Sequence, residues 1–180
     1  MASIATSLSG QPVRGVSVTP PARLVRFHRH TLSTLLILGG SAEDRAHVAH
    51  AFHRESLLRR GPFVCLDGER EHRLRWALHA WMSAEAEPWS NPLRAAEQGT
   101  LFLDSVGSLS LPAQQTLLAF TRRCLNASSD SGGQPWIGRL AVGSPEHLSV
   151  LVGQGLFLPA LYDSLDKVRV ELPDPARGAA

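Results

Sequence analysis

The chain has 180 residues, 43% hydrophobic and 19% charged, with a formal net charge of +2. That length holds one domain with a sizeable core. The near-balanced charge gives no case for a nucleic-acid or membrane partner from bulk electrostatics. All but one of the 18 basic residues are Arg, the exception being Lys167, a compositional bias that says little about function. Cys65 and Cys124 sit inside apolar runs and read as buried free thiols, against a disulfide scaffold or a cysteine metal cluster. There is no run of about 18 apolar residues and no charged-then-apolar start, so a soluble, cytoplasmic protein is expected.

Residues 1–22 are rich in Ser, Thr, Gly and Pro and read as a flexible tail; residues 174–180 read as a disordered one. Between them, 23–173 form the expected core. Arg23 to His30 alternates Leu24, Val25 and Phe27 with basic residues, which predicts an edge strand or, alternatively, a basic clamp. Thr34 to Leu38 is a continuous apolar run of the kind a buried parallel strand needs, ended by Gly39 and Gly40. A helical pattern follows through Val48, Ala49, Phe52 and Leu57. Pro62 to Leu66 predicts a second strand, and 69–82 a helix with Leu74, Leu78 and Trp81 on one face. A Pro-containing loop spans Pro88 to Pro92, and Thr100 to Leu103 predicts a third strand closed by Asp104.

Pro112 stands at a first helical position, so Ala113 to Leu125 reads as helix and Asn126 to Pro135 as a polar loop. Ile137 to Val142 is the fourth strand, Glu146 to Val152 and Pro159 to Leu165 are short helices, and Lys167 to Leu172 is the fifth strand. Strands alternating with helices predict an α/β fold: a five-stranded parallel sheet with helices on both faces.

A strand, a Gly pair and a helix pose the question of a phosphate loop. Of the pattern G-x-x-x-x-G-K-[ST], the segment Gly39 to Ala46 matches only at Gly39. Later segments are more informative. Gly99-Thr100-Leu101-Phe102-Leu103-Asp104, then Val106-Gly107, Leu109, Gln114 and Leu117-Leu118, resembles the Walker B region of the AAA+ domain of bacterial sigma-54 activators, typically GTLFLDEIGDLPL. Gly61 to Leu66 resembles that family's second strand. Gly155, Phe157, Leu161-Tyr162, Leu165 and Val168 to Pro173 resemble its later helix and strand, all in order and with near-intact spacing. The resemblance covers Thr34 to Pro173. It implies a three-layer, P-loop NTPase-like AAA+ α/β subdomain, without the family's helical lid and DNA-binding helix-turn-helix.

The resemblance also implies a degenerate nucleotide site at Gly39, Gly40, Arg45 and Asp104. Arg45 falls at the loop Lys, and Asp44 at the second loop Gly. A carboxylate there would face a phosphate, with a repulsion of about 4 kcal/mol at roughly 4 Å and an effective dielectric of 20. Glu43 adds a second negative charge nearby. Asp104 keeps the magnesium-binding acid, while Ser105 replaces the catalytic Glu and Ser144 the sensor Asn. Leu158 and Ser164 fall at the two Arg positions that reach a neighbouring subunit. The GAFTGA loop, by which the family touches sigma-54, has no counterpart between Leu66 and Gly99, where Trp76, Trp81 and Trp89 lie instead.

Plain alternatives stand beside each of these. Asp104 also reads as a strand-end residue engaged in hydrogen bonds. His47, His50 and His53 recur every third residue, a spacing that drifts around a helix and does not converge on a metal. Neither cysteine has an activating neighbour, and no G-x-S-x-G elbow is present. Trp76 and Trp81 read mostly as core, and Trp89, beside prolines, as an interface residue; Trp76, Arg26 and Leu158 complete the interface candidates. The expectation is a pseudo-ATPase without a cofactor or metal. It would bind a protein, either another AAA+ activator or a signalling or structural partner. The alternatives are a regulator that senses ATP without hydrolysing it and a divergent sigma-54-dependent regulator.

Overall fold

A computed structural model describes residues 22–83, 91–125 and 135–173. The two tails, the loop with Trp89 and most of the polar loop before Pro135 lie outside these residues, as does the Cys124 side chain. The elements run α1 (Ala22–Phe27), β1 (Leu35–Leu38), α2 (Ala42–Arg54), β2 (Phe63–Asp67), α3 (Glu71–Met82), α4 (Pro92–Ala95), β3 (Thr100–Asp104), α5 (Leu111–Phe120), β4 (Arg139–Ser144), α6 (Leu148–Gly153), α7 (Pro159–Leu165) and β5 (Val168–Glu171).

The five strands form one parallel sheet in the order β2-β3-β4-β1-β5. Alternating side chains divide the core between its two faces. Leu36, Leu38, Leu101, Leu103, Leu140 and Val142 pack under α3, α5, α6 and α7. Leu35, Ile37, Phe102, Ala141, Val168 and Val170 pack under α1 and α2. The central strands β1, β3 and β4 are therefore buried at almost every position, which is why their sequences lack a polar alternation and keep polar residues only at the strand ends.

Four expectations are corrected. Residues 22–27 are a helix and not an edge strand. Six residues of mixed pattern fit either form, and the deciding partner is distant: Arg139, fully buried in β4, donates to the carbonyls of His28 and Thr31 just past this helix. Helix α2 ends at Arg54, leaving Leu57 59% exposed. Cys65 is exposed, because β2 is an edge strand with a neighbour on one side only. Trp76 is 48% exposed and Trp81 only 5%, so one of the pair is core and the other is not.

Candidate functional site

The site lies beyond the C-terminal ends of β1, β3 and β4, where open α/β sheets place their ligands. Gly39 and Gly40 follow β1 with φ of 78° and 62°, the left-handed region that favours glycine. A Cβ at Gly39 would also stand 2.6 Å from the Leu172 carbonyl oxygen. The Gly39 N–H donates to the Ser144 carbonyl at 2.9 Å and so fixes the turn to the end of β4.

Ser41 then caps α2. Its hydroxyl accepts from the Asp44 N–H at 3.1 Å, while the Asp44 carboxylate accepts from the Ser41 N–H at 3.1 Å and the Ser41 hydroxyl at 2.7 Å. These bonds hold the Asp44 carboxyl below its usual pKa. The expectation that Asp44 faces an incoming phosphate is thereby corrected. Its carboxylate folds back onto the first turn and takes up a backbone N–H that an anion at a helix start would use.

Arg45 fills the site. The residue is 3% exposed. Its Nε donates to Asp104 Oδ1 at 2.6 Å and its Nη2 to Oδ2 at 2.8 Å, a two-pronged contact that a planar guanidinium makes and a lysine cannot. Nη1 donates to the carbonyls of Gly40 at 2.8 Å and Gly39 at 3.2 Å. The pair lies directly over Gly143. A Cβ there would stand 2.2 Å from Asp104 Oδ1 and 3.2 Å from the Arg45 side chain.

Around this pair, Ser105 adopts left-handed backbone (φ 55°), and its carbonyl accepts from the Ser108 hydroxyl at 2.6 Å. Ser144 is fully buried, and its hydroxyl has no hydrogen-bond partner among the described residues. Leu158 caps α7, and its N–H donates to Gln114 Oε1 at 2.8 Å. The Gln114 amide nitrogen donates to the carbonyls of Leu109 and Leu156, tying α5 to the chain before α7. An open groove of about 510 Å³ runs past Asp104, with Cys65, Phe102, Arg70 and Ser105 among its walls. Partial desolvation on the inner side of this exposed residue, with the Asp104 charge, pushes the Cys65 thiol above its ordinary pKa, which opposes a reactive thiolate.

Magnesium-ATP does not fit this arrangement. A phosphate loop aims N–H groups and a free cation at the phosphates, and an acid at the metal. Here the carbonyls of Gly39 and Gly40 face the cation, and the cation is bound to the acid, with one hydrogen bond to each of its oxygens.

The four predicted residues Gly39, Gly40, Arg45 and Asp104 thus come together. The interface candidates do not. Arg26 is exposed on α1 on one side of the sheet. Trp76 on α3 and half-buried Leu158 beside α7 belong to the other side, and Trp89 lies outside the described residues. His53 turns its ring into the core, with Nδ1 3.0 Å from the Thr100 hydroxyl. Among the described residues, no three His, Cys, Asp or Glu are grouped to hold a metal, and no helix is long and apolar enough to cross a membrane.

Two residues escaped the sequence reading. Gly143 offered a signal, as the single glycine in a strand closed to water along its whole length. Arg139 offered another, as a cation opening the same strand.

Comparison with known proteins identifies the family and the fold. Residues 18–171 match the Sigma-54 interaction domain. The chain is 30% identical over 186 residues to the DNA-binding transcriptional regulator NtrC of Rhizobium meliloti (strain 1021), covering 97% of this chain and 38% of that protein. It is 28% identical over 146 residues to the anaerobic nitric oxide reductase transcription regulator NorR of Aeromonas hydrophila, covering 77% and 29%. It spans about a third of the length of the curated relatives it matches. Among solved structures, NtrX from Brucella abortus in complex with ATP superposes with a TM-score of 0.68 at 24% identity, over 84% of this chain and 35% of that one. The P-loop NTPase domain of the sigma-54 transport activator from E. coli gives 0.53 at 17%, over 78% and 97%. At these identities the structures speak for the fold alone. With this strand order and a match over residues 18–171, the chain belongs to the Sigma-54 interaction domain family, on the AAA+ P-loop fold.

Proposed function

We propose that this domain is a pseudo-ATPase that works as a regulatory protein-interaction module on a AAA+ core. The observation that carries the reading is the Arg45–Asp104 pair, in which the residue at the loop-lysine position neutralises the acid that would hold magnesium. The remaining positions agree with it. Ser105 supplies no carboxylate to orient water, and Leu158 and Ser164 supply no cation to a neighbouring subunit. A cation already placed where nucleotide charge would act keeps the sheet end closed, so the fold persists with its chemistry withdrawn. The partner would be a protein, either a competent AAA+ activator or a signalling or structural component.

Phosphate release and thermal unfolding of the wild-type domain with magnesium and ATP test this. No release above the protein-free blank and no nucleotide-dependent rise in Tm are expected. ATP turnover that Asp104→Asn abolishes would overturn the reading.

A further inference from the structure

The outer face of α3 carries a stripe of one arginine, one tryptophan and two histidines, apart from the Arg45 site. His72, Arg75, Trp76 and His79 follow each other at steps of three, one and three, so they lie along one side of the helix. With Thr116 of α5 they line an open groove of about 370 Å³ between the two helices. Trp76 is 48% exposed in that groove, in contrast to Trp81, which is buried with the Arg94 guanidinium 4.3 Å above its ring. A half-exposed Trp beside an Arg matches the composition of interface hot spots.

The charge of the groove selects the partner. The carboxylate nearest to Arg75 is Glu71, one turn earlier, and it is already engaged: it accepts from the Ser110 N–H at 2.9 Å and the Ser110 hydroxyl at 2.8 Å. Arg75 approaches it only to 3.7 Å, with the Arg75 side chain 53% exposed. A solvent-exposed contact of that length contributes little, so the Arg75 fork remains open to a better carboxylate. The two histidines flank the indole with further N–H groups.

We propose that this groove docks an acidic, amphipathic helical segment of a protein partner. An apolar side chain would lie on Trp76, and carboxylates would reach Arg75, His72 and His79. The inference names a surface for the interaction-module reading and rests on it. The two fail separately, since ATP turnover tests the first and peptide binding the second.

Fluorescence polarisation of a labelled amphipathic peptide tests it, with Glu on one face and Phe and Leu on the other. A version with Gln for every Glu and a labelled oligo-dT serve as comparisons. The acidic peptide binds saturably, and Trp76→Ala and Arg75→Glu each weaken it at least about tenfold while Tm stays put. Four results would overturn the proposal: no saturable binding of the acidic peptide, equal binding of the Gln peptide, tighter binding of oligo-dT, or unchanged affinity in both variants. Self-association that Trp76→Ala abolishes would assign the face to a second copy and overturn it as well.

Discussion

Arg45 and Asp104 stand 59 residues apart in the chain and share two hydrogen bonds of 2.6 and 2.8 Å across the end of the sheet. Their side chains are 4% and 14% exposed, so each charge is stable in place only because the other is there. The pair also joins three elements, since α2 supplies the cation, β3 the acid and the turn after β1 two carbonyls. In this chain the Arg45–Asp104 pair is therefore part of the fold's own support.

That view makes a quantitative prediction. Removing one partner of a buried pair costs about 3–5 kcal/mol, because the other charge is left uncompensated. Arg45→Met and Asp104→Leu should each destabilise the domain by about that amount in urea denaturation. The double variant should lose less than the sum, by about 1–3 kcal/mol, as residues in direct contact do. Additive losses would show that the two side chains do not depend on each other.

Gly143 is the seat of the pair. Its substitution by Ala places a methyl group 2.2 Å from Asp104 Oδ1 and 3.2 Å from the Arg45 side chain, so the bonded pair would have to shift to make room. Overpacking of this kind costs about 1–3 kcal/mol, and Tm should fall by roughly 2–4 °C for each of those in a domain of this size. The same substitution in an Asp104→Ala background should cost measurably less. A Gly143→Ala protein that melts with the wild type would remove the close approach from the account.

The strands were legible because buried parallel strands are short apolar runs, and Gly39 and Asp104 mark where two of them end. The Arg45 site was legible only in pieces. The family resemblance put Arg45 and Asp104 at one site, but the bond between them depends on the length and direction of a side chain crossing β4. Asp44 was misjudged because Ser41 lies three residues before it, and a capping box competes with any outward-facing role. Cys65 was read as buried because nothing within Pro62 to Leu66 tells an edge strand from a central one; strand order decides it. Trp76 and Trp81 did carry their answer. Five residues of α-helix turn about 140°, so Leu74, Leu78 and Trp81 can share the core side while Trp76 faces away.

His53 couples folding to pH. Its ring is buried beside Thr100, 5.5 Å from Phe63 and 6.1 Å from the His50 ring. Burial lowers its pKa from the ordinary value, and the nearby charges of His50 and Arg139 act in the same direction. As pH drops below about 6.5, the unfolded chain takes the proton first while the folded ring stays neutral. Stability is therefore complete above that value and declines as pH falls toward the lower folded pKa. Asp44, Glu71 and Asp166, whose carboxyls are held below their usual range, lose their contributions only in more acidic solution. Urea midpoints of wild type and His53→Gln at pH about 7.5 and 5.5 isolate this residue, since every other titrating group is common to both. The wild-type midpoint should fall further than the variant's between the two. Equal falls would mean that His53 protonates as readily in the folded domain as in the unfolded chain.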